Sequence, residues 1–180
     1  AISNDNVVAG NIFGLAVDGS AALTNVAPSF NPANSAGIYV DGARNAIGVS
    51  DAAGANDSRR NIIGGGFSYG IQFTSGAAVQ NVVSGNFIGT DITGSIALPN
   101  AVGIGLGGFN NRVGTNADGI NDSLEGNVIS GNSLVGIFVG SQHVVAGNRI
   151  GTDVSGVLPL GNGVGIMLDG NDSQIGGSTL

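Results

Sequence analysis

Residues 81–94 read Asn-Val-Val-Ser-Gly-Asn-Phe-Ile-Gly-Thr-Asp-Ile-Thr-Gly, and residues 143–156 read His-Val-Val-Ala-Gly-Asn-Arg-Ile-Gly-Thr-Asp-Val-Ser-Gly. The second stretch rewrites the first, 62 positions later. Each contains two short apolar segments separated by Gly, Ser or Ala, and Asn. Segments this short cannot be helices. They are rich in β-branched residues and bounded by Gly and Asn, which is the grammar of strands and turns.

Working outward, the same grammar fills the chain. The pair Gly-Ile recurs at Gly37-Ile38, Gly70-Ile71, Gly103-Ile104, Gly136-Ile137 and Gly165-Ile166, at spacings of 33, 33, 33 and 29. A second series starts with Asn and ends in an apolar residue: Asn11 to Phe13, Asn61 to Ile63, Asn86 to Ile88, Asn127 to Ile129 and Asn148 to Ile150. A third runs through Val8, Ile47, Val83, Val113, Val145 and Ile175. Alternation along each segment assigns Ile38 and Val40, and their counterparts in every repeat, to an inner face. Three inward-facing sets recurring in step describe a three-sided solenoid with coils stacked in parallel, about 4.8 Å apart. A β-sandwich, the competing all-β fold, has no reason to keep a 33-residue rhythm of equivalent segments.

Coils of two types alternate. In one, a short link (Ser84-Gly85-Asn86, Ala146-Gly147-Asn148) is followed one strand later by a long loop, at 89–100 and 151–162. In the other, the long loop comes one corner earlier, at 48–61 and 114–127. The Gly-Thr-Asp motif therefore returns on every second coil. The first unit is looser: Asn-Ile-Phe-Gly-Leu-Ala-Val-Asp-Gly at 11–19 replaces the motif, and extra residues separate Asn11 from Gly37. Asn tolerates tight corners and bonds its own turn. Asn11, Asn61, Asn86, Asn127 and Asn148 are expected to stack as an amide ladder along the axis. The three matches to a glycosylation sequon, at Asn56, Asn121 and Asn171, carry little weight because such triplets are common by chance.

Composition narrows the function. The 180 residues include 34 Gly and no Cys, 9% of them are charged, and the net charge is −7. The five basic residues are Arg44, Arg59, Arg60, Arg112 and Arg149, so there is no cation cluster with which to hold a nucleic acid. Arg59-Arg60, the one basic pair, reads as a solvated loop. Lack of Cys rules out a disulfide scaffold and thiolate metal sites. No apolar run approaches the roughly 20 residues that span a bilayer as a helix. Residues 1–180 read as a single domain, expected to be a segment of a longer array or a self-stacking unit.

The phrases Asn81 to Gly94, Gly103 to Gly108, Asn111 to Thr115, Gly126 to Asn132 and Gly136 to Gly140 resemble the repeats of the right-handed parallel β-helix proteins of the pectin-lyase-like superfamily. They are most similar to the repeat arrays of large secreted or cell-surface bacterial proteins. The resemblance covers roughly Asn6 to Gly177. It implies an all-β fold, a right-handed single-stranded parallel β-helix of about five to six coils of three short strands. It also implies an extracellular or bacterial cell-surface location. Because many activities sit on this solenoid, it implies little about chemistry.

Enzymes of that superfamily use convergent acids, with a His, an Arg or bound calcium. Here the acids, Asp51 and Asp57 among them, fall in Gly/Asn/Ser-rich loops and not at strand centres. His143, the only His, takes the repeat position of Asn6 and Asn81, so a ladder role is expected and a general base is the alternative. Asp91 and Asp153 hold one position two coils apart, and such copying argues for turn capping with calcium ligation as the alternative. Asp118, Asn121 and Asp122 form the best single calcium candidate. No catalytic residue is assigned and no cofactor is required; Ca²⁺ is the one considered.

The outward row Ile12, Ile62, Phe87, Val128 and Arg149 makes an apolar stripe, to be covered either by the long loops or by lateral packing against another solenoid. The outward row Tyr39, Gln72, Gly105, Phe138 and Met167 shows no regularity. Self-association by end-to-end stacking or lateral packing is expected, without membrane insertion. The chain is thus read as a structural or adhesive surface solenoid, able to form filaments. The alternative is a polysaccharide-active enzyme or carbohydrate-binding module on the same scaffold.

Overall fold

A computed structural model describes residues 4–23, 35–49, 57–74 and 76–177. Asp51 and Asn56 lie outside them. The chain winds into three parallel sheets, each made of every third strand. The first holds β1 (Val7–Val8), β4 (Ala46–Gly48), β7 (Val82–Ser84), β10 (Arg112–Gly114), β13 (Val144–Ala146) and β16 (Gln174–Ile175). The second holds β2 (Ile12–Phe13), β5 (Ile62–Ile63), β8 (Phe87–Ile88), β11 (Val128–Ile129) and β14 (Arg149–Ile150). The third holds β3 (Ala36–Val40), β6 (Tyr69–Phe73), β9 (Val102–Leu106), β12 (Val135–Val139) and β15 (Val164–Leu168). Counted as steps from coil to coil, two sheets have four, slightly short of the five to six coils expected.

The register is the one the repeats demand. Ile38, Ile71, Ile104, Ile137 and Ile166 are successive partners. So are Phe13, Ile63, Ile88, Ile129 and Ile150, and likewise Val8, Ile47, Val83, Val113, Val145 and Ile175. A one-residue slip would turn every one of these side chains outward, so burial itself fixes the register. The middle coils form one continuous core. Each fully buried Ile or Val contributes about 1.5–3 kcal/mol before entropy. In the last described coil the inward positions are less buried: Leu168 is 60% exposed and Ile175 39%.

Of the two covers expected for the apolar stripe on the second sheet, the chain's own loops are the one found along its middle. Ile62, Phe87 and Val128 are buried with Leu15, and Leu98 packs against them. Lateral packing of solenoids through that stripe is thereby excluded along its middle. The covering residues come from hairpins. Antiparallel bridges join Leu15 to Ala22, Thr90 to Ala97 and Thr152 to Pro159, so residues 14–23 fold as a third copy of the Gly-Thr-Asp loop despite their different sequence. In addition, a single helical turn, α1 (Asp122–Glu125), interrupts the loop after β10.

Why Gly precedes Ile in every coil is a matter of space. A Cβ on Gly103 would lie 2.5 Å from Gly136 O and 2.9 Å from Asn132 Nδ2, and those on Gly37, Gly70 and Gly136 would lie 2.8, 2.7 and 2.6 Å from the next coil's carbonyl. At Gly165 the nearest atom is Ile150 Cγ2, at 3.6 Å. Gly103→Ala is therefore expected to lower stability by about 1–3 kcal/mol through overpacking against backbone. Gly165→Ala is expected to be neutral or to stabilise by up to about 1 kcal/mol, by restricting the unfolded chain. Urea unfolding of the two variants checks the contrast; equal losses would refute this account of the Gly column.

Candidate functional site

The polar residues of the coils concentrate at the corners, where the backbone turns inside a dry stack and its amides need partners. Each corner Asn serves two coils. Asn61 Oδ1 accepts from both Asn11 N and Asn11 Nδ2 at 3.1 Å. The same fork joins Asn61 to Asn86, Asn86 to Asn127 and Asn127 to Asn148. The Nδ2 groups also donate to main-chain carbonyls, as from Asn86 to Ile47 O at 2.9 Å. This is the ladder the sequence reading expected.

Two further ladders stand at the other corners. One runs Asn6, Asn45, Asn81, Asn111 and the other Asn100, Asn132, Asn162. His143 continues the first of these. Its Nδ1 accepts from Asn111 N at 3.3 Å and its backbone amide donates to Ser173 Oγ at 3.0 Å. The ring is 1% exposed and Nε2 has no partner. Burial pushes its pKa down. A ring so enclosed has no access to a substrate, so the general-base alternative has no support from its position.

Asp91 and Asp153 sit inside the hairpins. Asp91 Oδ1 accepts from the amides of Ser95 and Ile96 at 3.0 Å, and both its oxygens accept from Thr93 Oγ1. Burial raises its pKa, but the Thr93 hydroxyl and the Ile96, Ser95 and Thr93 amides outweigh this and hold it below the usual range. Asp153 is held down foremost by the Ser155 hydroxyl, helped by the amides of Leu158, Val157 and Gly156. In the first hairpin Ala16 takes the equivalent place. There Asp18, two residues on, accepts from Ser20 N at 3.1 Å and Ser20 Oγ at 2.8 Å. The carboxylate changes position while the task, closing the turn, stays.

The expected calcium loop is organised by the same chemistry. Asp118 accepts from Ile120 N at 2.8 Å and Asn116 Nδ2 at 2.9 Å; Asp122 accepts from Thr115 Oγ1 at 3.0 Å and Gly119 N at 2.9 Å. Asn121 adopts a left-handed backbone before α1, and its side chain makes no capping bond. Among the described residues no three His, Asp or Glu side chains come together as a metal cluster. Glu125 lies fully buried under this loop, accepting from Asn116 N at 3.0 Å, with Arg112 Nη1 3.8 Å away. The sequence places it only among the loop acids. Arg60, taken for a solvated loop residue, lies 4.1 Å over the Phe87 ring and donates to Gly85 O at 3.0 Å.

On the outer face of the third sheet, the gap at Gly105 is filled from the coil below. A Cβ there would lie 2.8 Å from Tyr69 Cε1, so the Tyr69 ring covers the glycine between Gln72 and Phe138. Tyr39, 62% exposed, starts this row. No family model matches the chain, and no curated protein or solved structure matches it.

Two predictions follow from the corner chemistry. Asp91→Asn is expected to cost about 1–2 kcal/mol at neutral pH through loss of charged hydrogen bonds. Because the folded-state pKa of Asp91 is depressed, its stabilisation is present above about pH 4 and lost as pH falls through the folded value. The gap between wild type and variant should therefore close in acid, as followed by urea midpoints; a gap constant with pH would contradict the role. His143→Asn restores the amide found at Asn45, Asn81 and Asn111, and should raise the Tm. The gain should be larger at pH 5 than at pH 8, since the unfolded imidazole takes a proton near pH 6.5 that the buried ring resists. A lower Tm at both pH values would count against a ladder in which His is the misfit.

Proposed function

We propose that this chain is a structural element, a stiff β-solenoid in an extracellular or bacterial cell-surface protein, serving as spacer or adhesive stalk. One observation carries the reading. The side chains that an enzyme would deploy are spent on holding coils and turns: Asn in ladders, Asp91, Asp153, Asp118 and Asp122 on loop amides, His143 inside a corner. The bacterial and surface setting follows from the resemblance of the repeats. No cofactor is needed for this role, since the loop carboxylates have protein partners; calcium ligation by Asp118, Asn121 and Asp122 is the alternative use of that loop.

A second reading, carbohydrate binding, is favoured by the row of Tyr39, Tyr69 and Phe138 on the third sheet, because rings laid along a flat face suit the apolar faces of sugars. The experiment measures binding and turnover on a panel of acidic and neutral polysaccharides, with and without calcium, alongside thermal melting in EDTA. The structural reading expects no binding, no turnover and one Tm in EDTA and in calcium. Binding lost in Tyr39→Ala would establish the second reading instead, and a Tm that falls in EDTA would establish the calcium site.

A further inference from the structure

Of all the asparagines in the chain, only Asn162 is followed by glycine. It stands in the third corner ladder, where Asn100 and Asn132 are followed by Ala101 and Ser133. Asparagine is a thermolabile residue, and a following glycine makes it more so, because no side chain shields the next backbone nitrogen from the carboxamide. Packing dictates the glycine. A Cβ at position 163 would lie 2.5 Å from Leu134 O and 2.7 Å from Ser133 O, so the preceding coil leaves room there for glycine alone. The spacing that stacks the coils thereby installs the reactive pair.

In the folded chain each group of the pair is held. Asn162 Oδ1 accepts from Asn132 N and Asn132 Nδ2, both at 3.0 Å, and Asn162 Nδ2 donates to Ile129 O at 2.8 Å. Gly163 N donates to Asn132 O at 3.2 Å, and Val164 N to Leu134 O at 2.6 Å. For the carboxamide to meet Gly163 N it must swing out of the ladder, and these bonds then break together. Asn162 is half-buried and Gly163 exposed, so water reaches this corner whenever it opens.

We propose that Asn162-Gly163 is a site of spontaneous deamidation, gated by opening of this corner. In the open state Gly163 N bonds to Asn162 Cγ. The Cγ–Nδ2 bond breaks, and Nδ2 leaves as ammonia with the proton that Gly163 N gives up. A five-membered succinimide remains. Water adds to one of its two carbonyls and opens the ring, leaving aspartyl or isoaspartyl at position 162. The overall change exchanges NH2 for OH, with water the one co-reactant. It is one-way. When the corner closes again, Ile129 O has lost its donor and meets a carboxylate oxygen. The isoaspartyl product also adds a methylene to the backbone just before β15. The inference does not rest on what the stack is used for.

The test incubates the full chain at mildly alkaline pH, folded and in urea, and maps it by mass spectrometry, which reads the gain of mass at position 162. In urea, position 162 is expected to convert before any other Asn, and Gly163→Ala is expected to slow it. The folded chain is expected to convert there at least about tenfold more slowly, in proportion to the time the corner is open. Once converted, it should exchange the Gly163 and Val164 amides faster than fresh chain does, and Asn162→Asp should do so from the outset. Conversion as fast in the folded chain as in urea, or none at all in the folded chain, would overturn the proposal. So would an undiminished rate in Gly163→Ala, or an Asn162→Asp chain that protects both amides as the wild type does.

Discussion

Everything in this molecule hangs on the distance from one coil to the next, and at the corners that distance is held by a single amide oxygen. In a straight strand the ladder of backbone bonds keeps neighbouring chains about 4.8 Å apart. At a corner the backbone turns, its amides leave the ladder, and an unpaired buried donor costs about 1–3 kcal/mol. Asn solves this locally. Its Oδ1 accepts the backbone amide and the side-chain amide of the coil before, and its own Nδ2 returns to a carbonyl. The fork works only if the coils keep one spacing and one register, so three ladders at three corners tie the sheets together. Composition follows: glycine where carbonyls crowd from coil to coil, asparagine at corners, and little use for charge.

The ladders are also directional. Through the fork each corner Asn gives hydrogens toward the C-terminal coil and receives from the N-terminal one, while Nδ2 also donates back to a carbonyl of the N-terminal coil, as from Asn127 to Val83 O. The first oxygen of the Asn100 ladder has no donor below it: Asn100 Oδ1 is buried and unpartnered, where the preceding coil offers Phe67 and Ser68 instead of an amide. Two faces of opposite character result, acceptors at one end and donors at the other, so stacking of such units has an inherent head and tail.

Most of the architecture was legible in the sequence because the repeats are written in period-2 patterns that burial enforces. The three inner rows, their register and the Asn11-to-Asn148 ladder all follow from alternation and spacing. What could not be read depended on contacts between coils far apart in sequence. The hairpin at 14–23 lacks the Thr-Asp pair, and the surviving signal was spacing: Gly14, Gly19 and Leu23 match Gly89, Gly94 and Leu98. Burial of Ile62, Phe87 and Val128 under the long loops was one of two readings, and only the hairpins' fold decides for it. Tyr69 fills the place left by Gly105 from a neighbouring coil, which no one-coil pattern contains. Glu125 reads as a loop acid because its burial is a property of α1 folding back against Arg112.

The three hairpins also bear on what a repeated acid means. If the carboxylate at Asp91 and Asp153 served a reacting group, its position relative to the scaffold would matter and the first copy could not place it elsewhere. Ala16 holds that position, and Asp18 supplies the oxygen from two residues further along, to Ser20 instead of to residues four and five away. What is preserved is an acceptor inside a tight turn, reachable from more than one position because Asp side chains bond local amides readily. The same demand explains why Asp118 and Asp122 close their loop without sharing any sequence with the hairpins. Acids in this chain recur because turns recur, and the turns recur because each coil must bring its amides back to the stack.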